Sequence, residues 1–233
     1  MKNEFFTPIH INAIFHFEDN GEFATRCIIL IFGEFDNYPR KIDNGMFGKN
    51  NDLCISKMIT TMAKTLIAFY SRRGQNYVDG SIRNLAKGNN EVIVEKLKAL
   101  LPDADVFQID TVKKYSPDYM VCIDEAKEEL RAKARPELTA KVENMDRYDT
   151  IILGYPNWWG LPPMAVFTFL ESYDFSGKKI VPFCSHEGSG LGGSIRQIKM
   201  TVPDANLTAG VAIHGAASSH CDREVKLILE QAE

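Results

Sequence analysis

The chain has 233 residues, 45% of them hydrophobic and 25% charged, with a formal net charge of -4. That is enough chain for one sizeable core, and no basic stripe stands out of the kind that nucleic-acid phosphates require. Its five cysteines (Cys27, Cys54, Cys122, Cys184 and Cys221) are odd in number, scattered and without a Cys-x-x-Cys pair, which reads as reduced, structural thiols in a cytoplasmic protein.

After Lys2 no sustained apolar stretch forms a secretory leader, and the uncharged run from Cys27 to Gly33 is too short to span a bilayer. Residues 1–61 interleave aromatics with Asn and Asp, and only 27–32 (CIILIF) reads as a strand. We expect an N-terminal extension here. An accessory piece, a disordered leader and sequence upstream of the true start all remain open, since Met58 and Met62 shortly precede the first clear strand.

From residue 62 onward the pattern predicts one α/β domain. Leu66, Ile67, Ala68, Phe69 and Tyr70 form a continuous apolar run, as in a strand buried on both faces. A helix over 91–101 follows, with Ile93, Leu97, Leu100 and Leu101 on one face and Asn90 at the N-cap position. Residues 104–110 read as a second strand and 118–134 as a charged amphipathic helix. Residues 150–155 form the third strand, and Pro162-Pro163 open a helix running to about Tyr173. Strands at 180–184 and 208–214 and a helix at 223–231 complete the chain. Alternating strands and helices favour a doubly wound parallel sheet covered on both faces. Ligands then bind outside the carboxyl ends of the strands, at the point where the order reverses.

Two strand ends carry chemistry. Ser71, Arg72, Arg73, Gly74, Gln75 and Asn76 follow the first strand, offering donors, charge and a glycine at a strand-to-helix turn. Oriented N–H groups at a helix start suit an anion. Residues 77–88 read as a long loop whose two ends both reach that anion. Pro156, Asn157, Trp158, Trp159 and Gly160 follow the third strand. Adjacent tryptophans on a strand end point in different directions, so one packs inward while the other is free to cover a flat ring. An anionic tail joined to a planar ring system satisfies both places, and flavin mononucleotide (FMN) is such a molecule.

After the fourth strand, Gly188, Gly190 and Gly193 have the G-x-G-x-x-G spacing but follow the wrong strand for a dinucleotide fingerprint. They read as a loop that lets backbone groups meet a ring edge. Glu187 stands where a nucleophile elbow needs glycine, and His186 has no second histidine at a zinc spacing. His10, His16, His214 and His220 read as unclustered.

With Phe69-Tyr70-Ser71-Arg72-Arg73-Gly74 ending one strand and Gly154-Tyr155-Pro156-Asn157-Trp158-Trp159-Gly160 ending another, the chain resembles the flavodoxins, and in particular a bacterial branch with a Pro-x-Trp-Trp-Gly loop. The runs at 167–178 and 182–192 resemble that branch too. The resemblance covers about Thr65 to the C-terminus and none of residues 1–61. It implies a flavodoxin-like five-stranded parallel sheet of order 2-1-3-4-5 with non-covalently bound FMN. Carried over by motif, Ser71, Arg72, Gly74, Gln75 and Asn76 hold the phosphate with Asn89 and Asn90. Pro156, Asn157, Trp158, Trp159 and Gly160 form the first ring loop, and Ser185, His186, Glu187, Gly188, Ser189 and Gly190 the second. The implied work is electron transfer with redox partner proteins or small-molecule acceptors. An FMN-dependent NAD(P)H oxidoreductase acting on quinone-like acceptors is the alternative. Two features depart from the family pattern: the 77–87 insertion, with Asn90 where Thr is usual, and the absence of Phe, Tyr or Trp from 185–193.

Overall fold

The computed structural model describes residues 64–233; the strand expected at 27–32 lies outside them. The chain runs through β1 (Thr65–Phe69), a hairpin of β2 (Gly74–Val78) and β3 (Ser81–Leu85), and helix α1 (Asn89–Leu100). Strand β4 (Asp105–Gln108), helix α2 (Tyr119–Ala132), strand β5 (Thr150–Pro156) and helix α3 (Met164–Glu171) follow. Strand β6 (Lys179–His186), helix α4 (Ser194–Thr201), strands β7 (Asn206–Leu207) and β8 (Val211–His214) and helix α5 (Asp222–Ala232) end it.

The main sheet is parallel, in the order β4-β1-β5-β6, with β7 and β8 sharing the outer edge of β6. Counting that shared edge as one position, the order is the expected 2-1-3-4-5. Alternation along the strands divides the core into two layers. Leu66, Ala68, Ile151, Leu153 and Ile180 pack with α3 and with Ile198 of α4. Ile67, Phe69, Ile152, Val181 and Phe183 pack with Ile93 and Leu97 of α1 and with Val225 and Ile228 of α5. Within the second layer one position requires glycine: a Cβ on Gly154 of β5 would lie 2.1 Å from the ring of Phe183, its register partner on β6.

Four expectations need correction. The loop at 77–88 is largely the β2–β3 hairpin, turned by Asp79 (φ 48°) and Gly80 (φ 83°); an Asp-Gly pair is a strong type I′ turn signal. Asn90 does not cap α1: Gly88 stands at the cap position and Asn90 is buried within the first turn. Helix α4 was hidden by the glycines before it and by its length, a mere eight residues. The fifth strand is split into β7 and β8, with Gly210 at φ 77° between them. Element ends elsewhere shift by a few residues: α3 begins at Met164 with Pro163 as its cap, and α2 stops at Ala132 because Lys133 turns left-handed.

Among the described residues no helix is long and apolar enough to cross a membrane. Cys122, Cys184 and Cys221 are free and buried, and burial pushes the Cys184 thiol up to about 12.

Candidate functional site

The carboxyl ends of β1, β5 and β6 converge at one end of the sheet, and the segments leaving them are bound to one another. At β1, the Asn90 Nδ2 donates to the Tyr70 carbonyl at 2.9 Å, and the Ser71 hydroxyl accepts the Glu91 N–H at 3.2 Å. The end of β1 is thereby laid on the first turn of α1, whose leading N–H groups lack helical acceptors. The approach excludes a side chain at Gly88, where a Cβ would sit 2.2 Å from Ser71 Oγ and 2.5 Å from the Arg72 carbonyl oxygen. Asn90 Oδ1 is buried without a partner. Glu91 is paired with Arg73, and that hydrogen bond holds its carboxyl below the usual range.

The rest of the first run is disposed differently. Arg72 donates to the Ser116 and Pro117 carbonyls at 2.8 and 3.1 Å, and also to the Gln75 carbonyl. Gln75 Oε1 accepts the Tyr119 N–H at 2.9 Å, and Asn76 Nδ2 donates to the Arg72 and Gly74 carbonyls. These three side chains tie the base of the hairpin to itself and to the β4–α2 connection. Of the expected anion-holding set, Ser71, Asn89 and Asn90 are the ones gathered at the α1 N-terminus.

The hairpin is held at both ends. Tyr77 stacks on Tyr119 of α2, with centroids 6.3 Å apart. At its tip the Asp79 N–H donates to Glu187 Oε2 at 2.9 Å.

The turn after β5 has its own framework. Trp158 and Leu161 exchange backbone hydrogen bonds around Trp159 (φ 56°) and Gly160 (φ 86°), a type I′ arrangement. The two indoles separate as expected. Trp158 packs edge-on against Tyr70 and Tyr115, with centroids 5.4 and 5.2 Å away. Trp159 stays 49% exposed; its Nε1 donates to the Ile123 carbonyl at 3.0 Å, and the Lys127 ammonium lies 4.8 Å from its ring centroid.

Asn157 clasps this turn to the loop after β6. Its N–H donates to the Ser185 carbonyl, its Nδ2 to the Gly190 carbonyl at 2.7 Å, and its Oδ1 accepts the Gly160 N–H at 2.8 Å. The Gly193 N–H donates to the Gly160 carbonyl at 2.9 Å, and Gly192 approaches that same carbonyl too closely to carry a Cβ. Gly188 and Gly190 also have positive φ, so the 185–193 loop takes a path that side-chain-bearing residues rarely follow. Ser185 is buried, Pro156 ends β5, and Ser189 is exposed.

His214 is not isolated, contrary to expectation: β6 and β8 run in register at His186 and His214, whose rings meet edge to face at 5.6 Å. His214 Nε2 is also 3.8 Å from Glu187 Oε2. Burial, with His214 second, holds His186 below its ordinary value, and its Nδ1 accepts the Gly188 N–H at 2.9 Å. Glu187 Oε1 is buried without a partner, and a Cβ on Gly215 would touch both it and Asn89 Nδ2. The α1 start and the second loop therefore face each other closely.

Beside Trp159 a cavity of about 230 Å³ opens between the β5 turn, the hairpin base and α2. Tyr119, Cys122, Ile123 and Ala126 of α2 line it. The sequence reading missed all four, because α2 reads as a charged surface helix whose apolar positions look like ordinary core.

A family profile described as Flavodoxin matches residues 64–229. Among solved structures, a protein of Bacteroides eggerthii assigned as a flavoprotein is 28% identical, with a TM-score of 0.59 over 73% of this chain and 98% of that one. A protein of Bacteroides uniformis with the same assignment is 27% identical, with a TM-score of 0.55 over 72% and 98%. The flavoprotein of Lactobacillus acidophilus, crystallised in complex with FMN, shares the fold at 19% identity, with a TM-score of 0.50 over 67% and 96%. No curated protein matches the chain significantly.

Proposed function

This chain belongs to the flavodoxin family, and from that premise we propose that residues 62–233 hold FMN non-covalently and transfer electrons through it. One observation carries the reading: cradle, turn and loop share one hydrogen-bonded frame. The β1 end lies on the α1 start, the hairpin leaving β1 donates from Asp79 to Glu187 of the glycine loop, and Asn157 clasps that loop to the indole-bearing turn.

The residues fit the cofactor. Ser71, Gly88, Asn89 and Asn90 would receive the phosphate, where free N–H groups and the helix dipole favour a dianion and Gly88 keeps the approach open. The unpartnered Asn90 Oδ1 and Glu187 Oε1 are acceptors near the α1 start and the second loop, and the hydroxyl-rich chain of FMN supplies donors. The turn at 156–160 and the loop at 185–190 would bear on the ring system. FMN, when bound, supplies one- and two-electron redox chemistry; the polypeptide orients it, limits water and sets its potential through stacking and hydrogen bonds. Donor and acceptor are then redox proteins or small molecules of the cytoplasm.

A second reading, an NAD(P)H oxidoreductase acting on quinone-like acceptors, is favoured by one feature: 185–193 carries no Phe, Tyr or Trp to cover the outer face of a ring. The test begins with the full chain. Purified protein should be yellow and release FMN, or take it up with a marked preference over riboflavin that Ser71→Ala reduces. Protein that stays colourless and refuses added FMN ends the proposal. Steady NAD(P)H oxidation by the loaded protein alone with a quinone selects the enzyme; dependence on a separate reductase selects the carrier.

A further inference from the structure

We propose that the outer edge of β3 is the contact surface for a second copy of this chain, the two hairpins pairing antiparallel about a twofold axis into one four-stranded sheet. The pairing does not depend on the flavin reading; colourless protein associates in the same way.

The backbone is the first argument. The hairpin is closed by the two-residue turn at Asp79 and Gly80, and in it Val78 faces Ser81, Tyr77 faces Ile82 and Asn76 faces Arg83. The residues flanking such a turn exchange hydrogen bonds, the next pair does not, and the alternation continues along the strand. Ser81, Arg83 and Leu85 therefore direct their N–H and C=O groups to β2, while those of Ile82 and Asn84 point away from it. Among the described residues β3 pairs with β2 alone, and Ser81, Ile82, Arg83 and Asn84 are all exposed. A row of open donors and acceptors is a template for another strand. A lone two-stranded sheet is marginal, whereas three or more strands with an apolar face are stable. The edge is also fixed in place, by Tyr77 on Tyr119 at one end and the Asp79 bond to Glu187 at the other, so little ordering remains to oppose association.

Apolar surface is the second. Tyr77 and Ile82 share one face of the hairpin and both are exposed. Setting Ile82 opposite Ile82 of the second copy joins the two Tyr119-Tyr77-Ile82 rows into one that crosses the whole four-stranded sheet. Cross-strand pairs of aromatic and β-branched side chains are stabilising.

Charge selects the register. Outward groups at 82 and 84 allow a twofold axis at Ile82, Arg83 or Asn84. An axis at Arg83 puts two guanidiniums directly opposite, which is destabilising. One at Asn84 carries Ile82 past the end of the other β3. With the axis at Ile82, Arg83 lies opposite Ser81 of the second copy and diagonal to its Asp79, within reach of a long side chain. The right-handed twist of the pair shortens that diagonal and lengthens the one between the two arginines. Arg83 makes only a 3.2 Å bond to Ser81 Oγ, and Asp79 is exposed at the tip with Glu187 behind it. The other basic groups beside the hairpin, Arg73 and Lys87, lie at its base and pair with Glu91 and Glu95.

The test is sedimentation velocity on the full chain over a wide concentration series, where a monomer–dimer equilibrium is expected. Arg83→Glu changes an exposed side chain and turns two attractive pairs per dimer into repulsive ones, so the dissociation constant should rise about tenfold. Ile82→Pro removes an outward N–H and should leave monomer alone. Oxidation with diamide reads the register, with Cys27 and Cys54 replaced by serine and Cys122, Cys184 and Cys221 buried. Ile82→Cys should then form a covalent dimer and Arg83→Cys should not. A chain that stays monomeric throughout, a dimer that neither Arg83→Glu nor Ile82→Pro weakens, or cross-linking through position 83 in place of 82 would overturn the proposal.

Discussion

The runs after β1 and β5 look alike in sequence, each a short polar segment with glycine at a strand end, yet they work in opposite ways. The run after β5 acts where it stands: Asn157 closes on Gly160 three residues away, and the two central residues make a tight turn. The run after β1 is divided by the hairpin, so Ser71 meets Gly88 and Glu91 across an insertion while Arg72, Gln75 and Asn76 serve the hairpin base and the β4–α2 connection. A turn can be read locally because its hydrogen bonds close within a few residues. A helix-start cradle cannot, since any insertion whose ends come together leaves it intact.

This contrast is open to attack at both ends. The largest effect should come from Gly88→Ala, whose new Cβ meets the Arg72 carbonyl oxygen, a backbone atom that cannot rotate away. A cost of about 3 kcal/mol and loss of FMN uptake are expected, read by urea unfolding and flavin titration; a variant with unaltered stability would show that the β1 end and α1 do not meet this way. Next comes Asn157→Ala, which removes the side-chain bonds to Gly190 and Gly160. About 2 kcal/mol of stability should go, and because the damage is at the ring end, FMN and riboflavin should weaken equally. Selective loss of FMN alone would put Asn157 with the phosphate.

Gly160→Ala probes the turn itself. Open space surrounds the site of the new Cβ, so the penalty is purely conformational, from φ 86°, about 1–2 kcal/mol. The flavin potentials should shift as well if the peptide at Gly160 reorients with redox state, and spectroelectrochemistry that finds them unmoved removes that idea. The smallest effect is in pH. His186 titrates below its ordinary 6.5, first through burial and then through His214. Below that value the unfolded chain therefore binds more protons than the folded one, and stability falls as the pH drops from neutral through 6.5 and under it. The urea midpoint should fall less over this range in His186→Gln; an equal fall in both proteins would place the sensitivity elsewhere.

Much of this was legible before any coordinates. The apolar run at Leu66–Tyr70 and the Trp158-Trp159-Gly160 turn are local patterns that formed where expected, whereas the buried apolar face of α1 is Ile93, Val94 and Leu97, with the expected Leu100 left exposed. Helix α4 was not legible, because eight residues with a single fully buried apolar side chain, Ile198, leave little periodicity to detect. The Asp79-Gly80 pair was a usable hairpin signal that the expectation of a loop overrode.

The order of residues by itself determined the alternation of strands and helices, the parallel sheet that follows from it, and the ends at which chemistry collects, because burial periodicity and turn preference act over a handful of neighbours. Only the tertiary structure decided which of two adjacent arginines pairs with a carboxylate, which tryptophan leans on α2, and that His186 faces His214. Those outcomes depend on segments 20 to 44 residues apart being packed side by side, and no local rule contains that information.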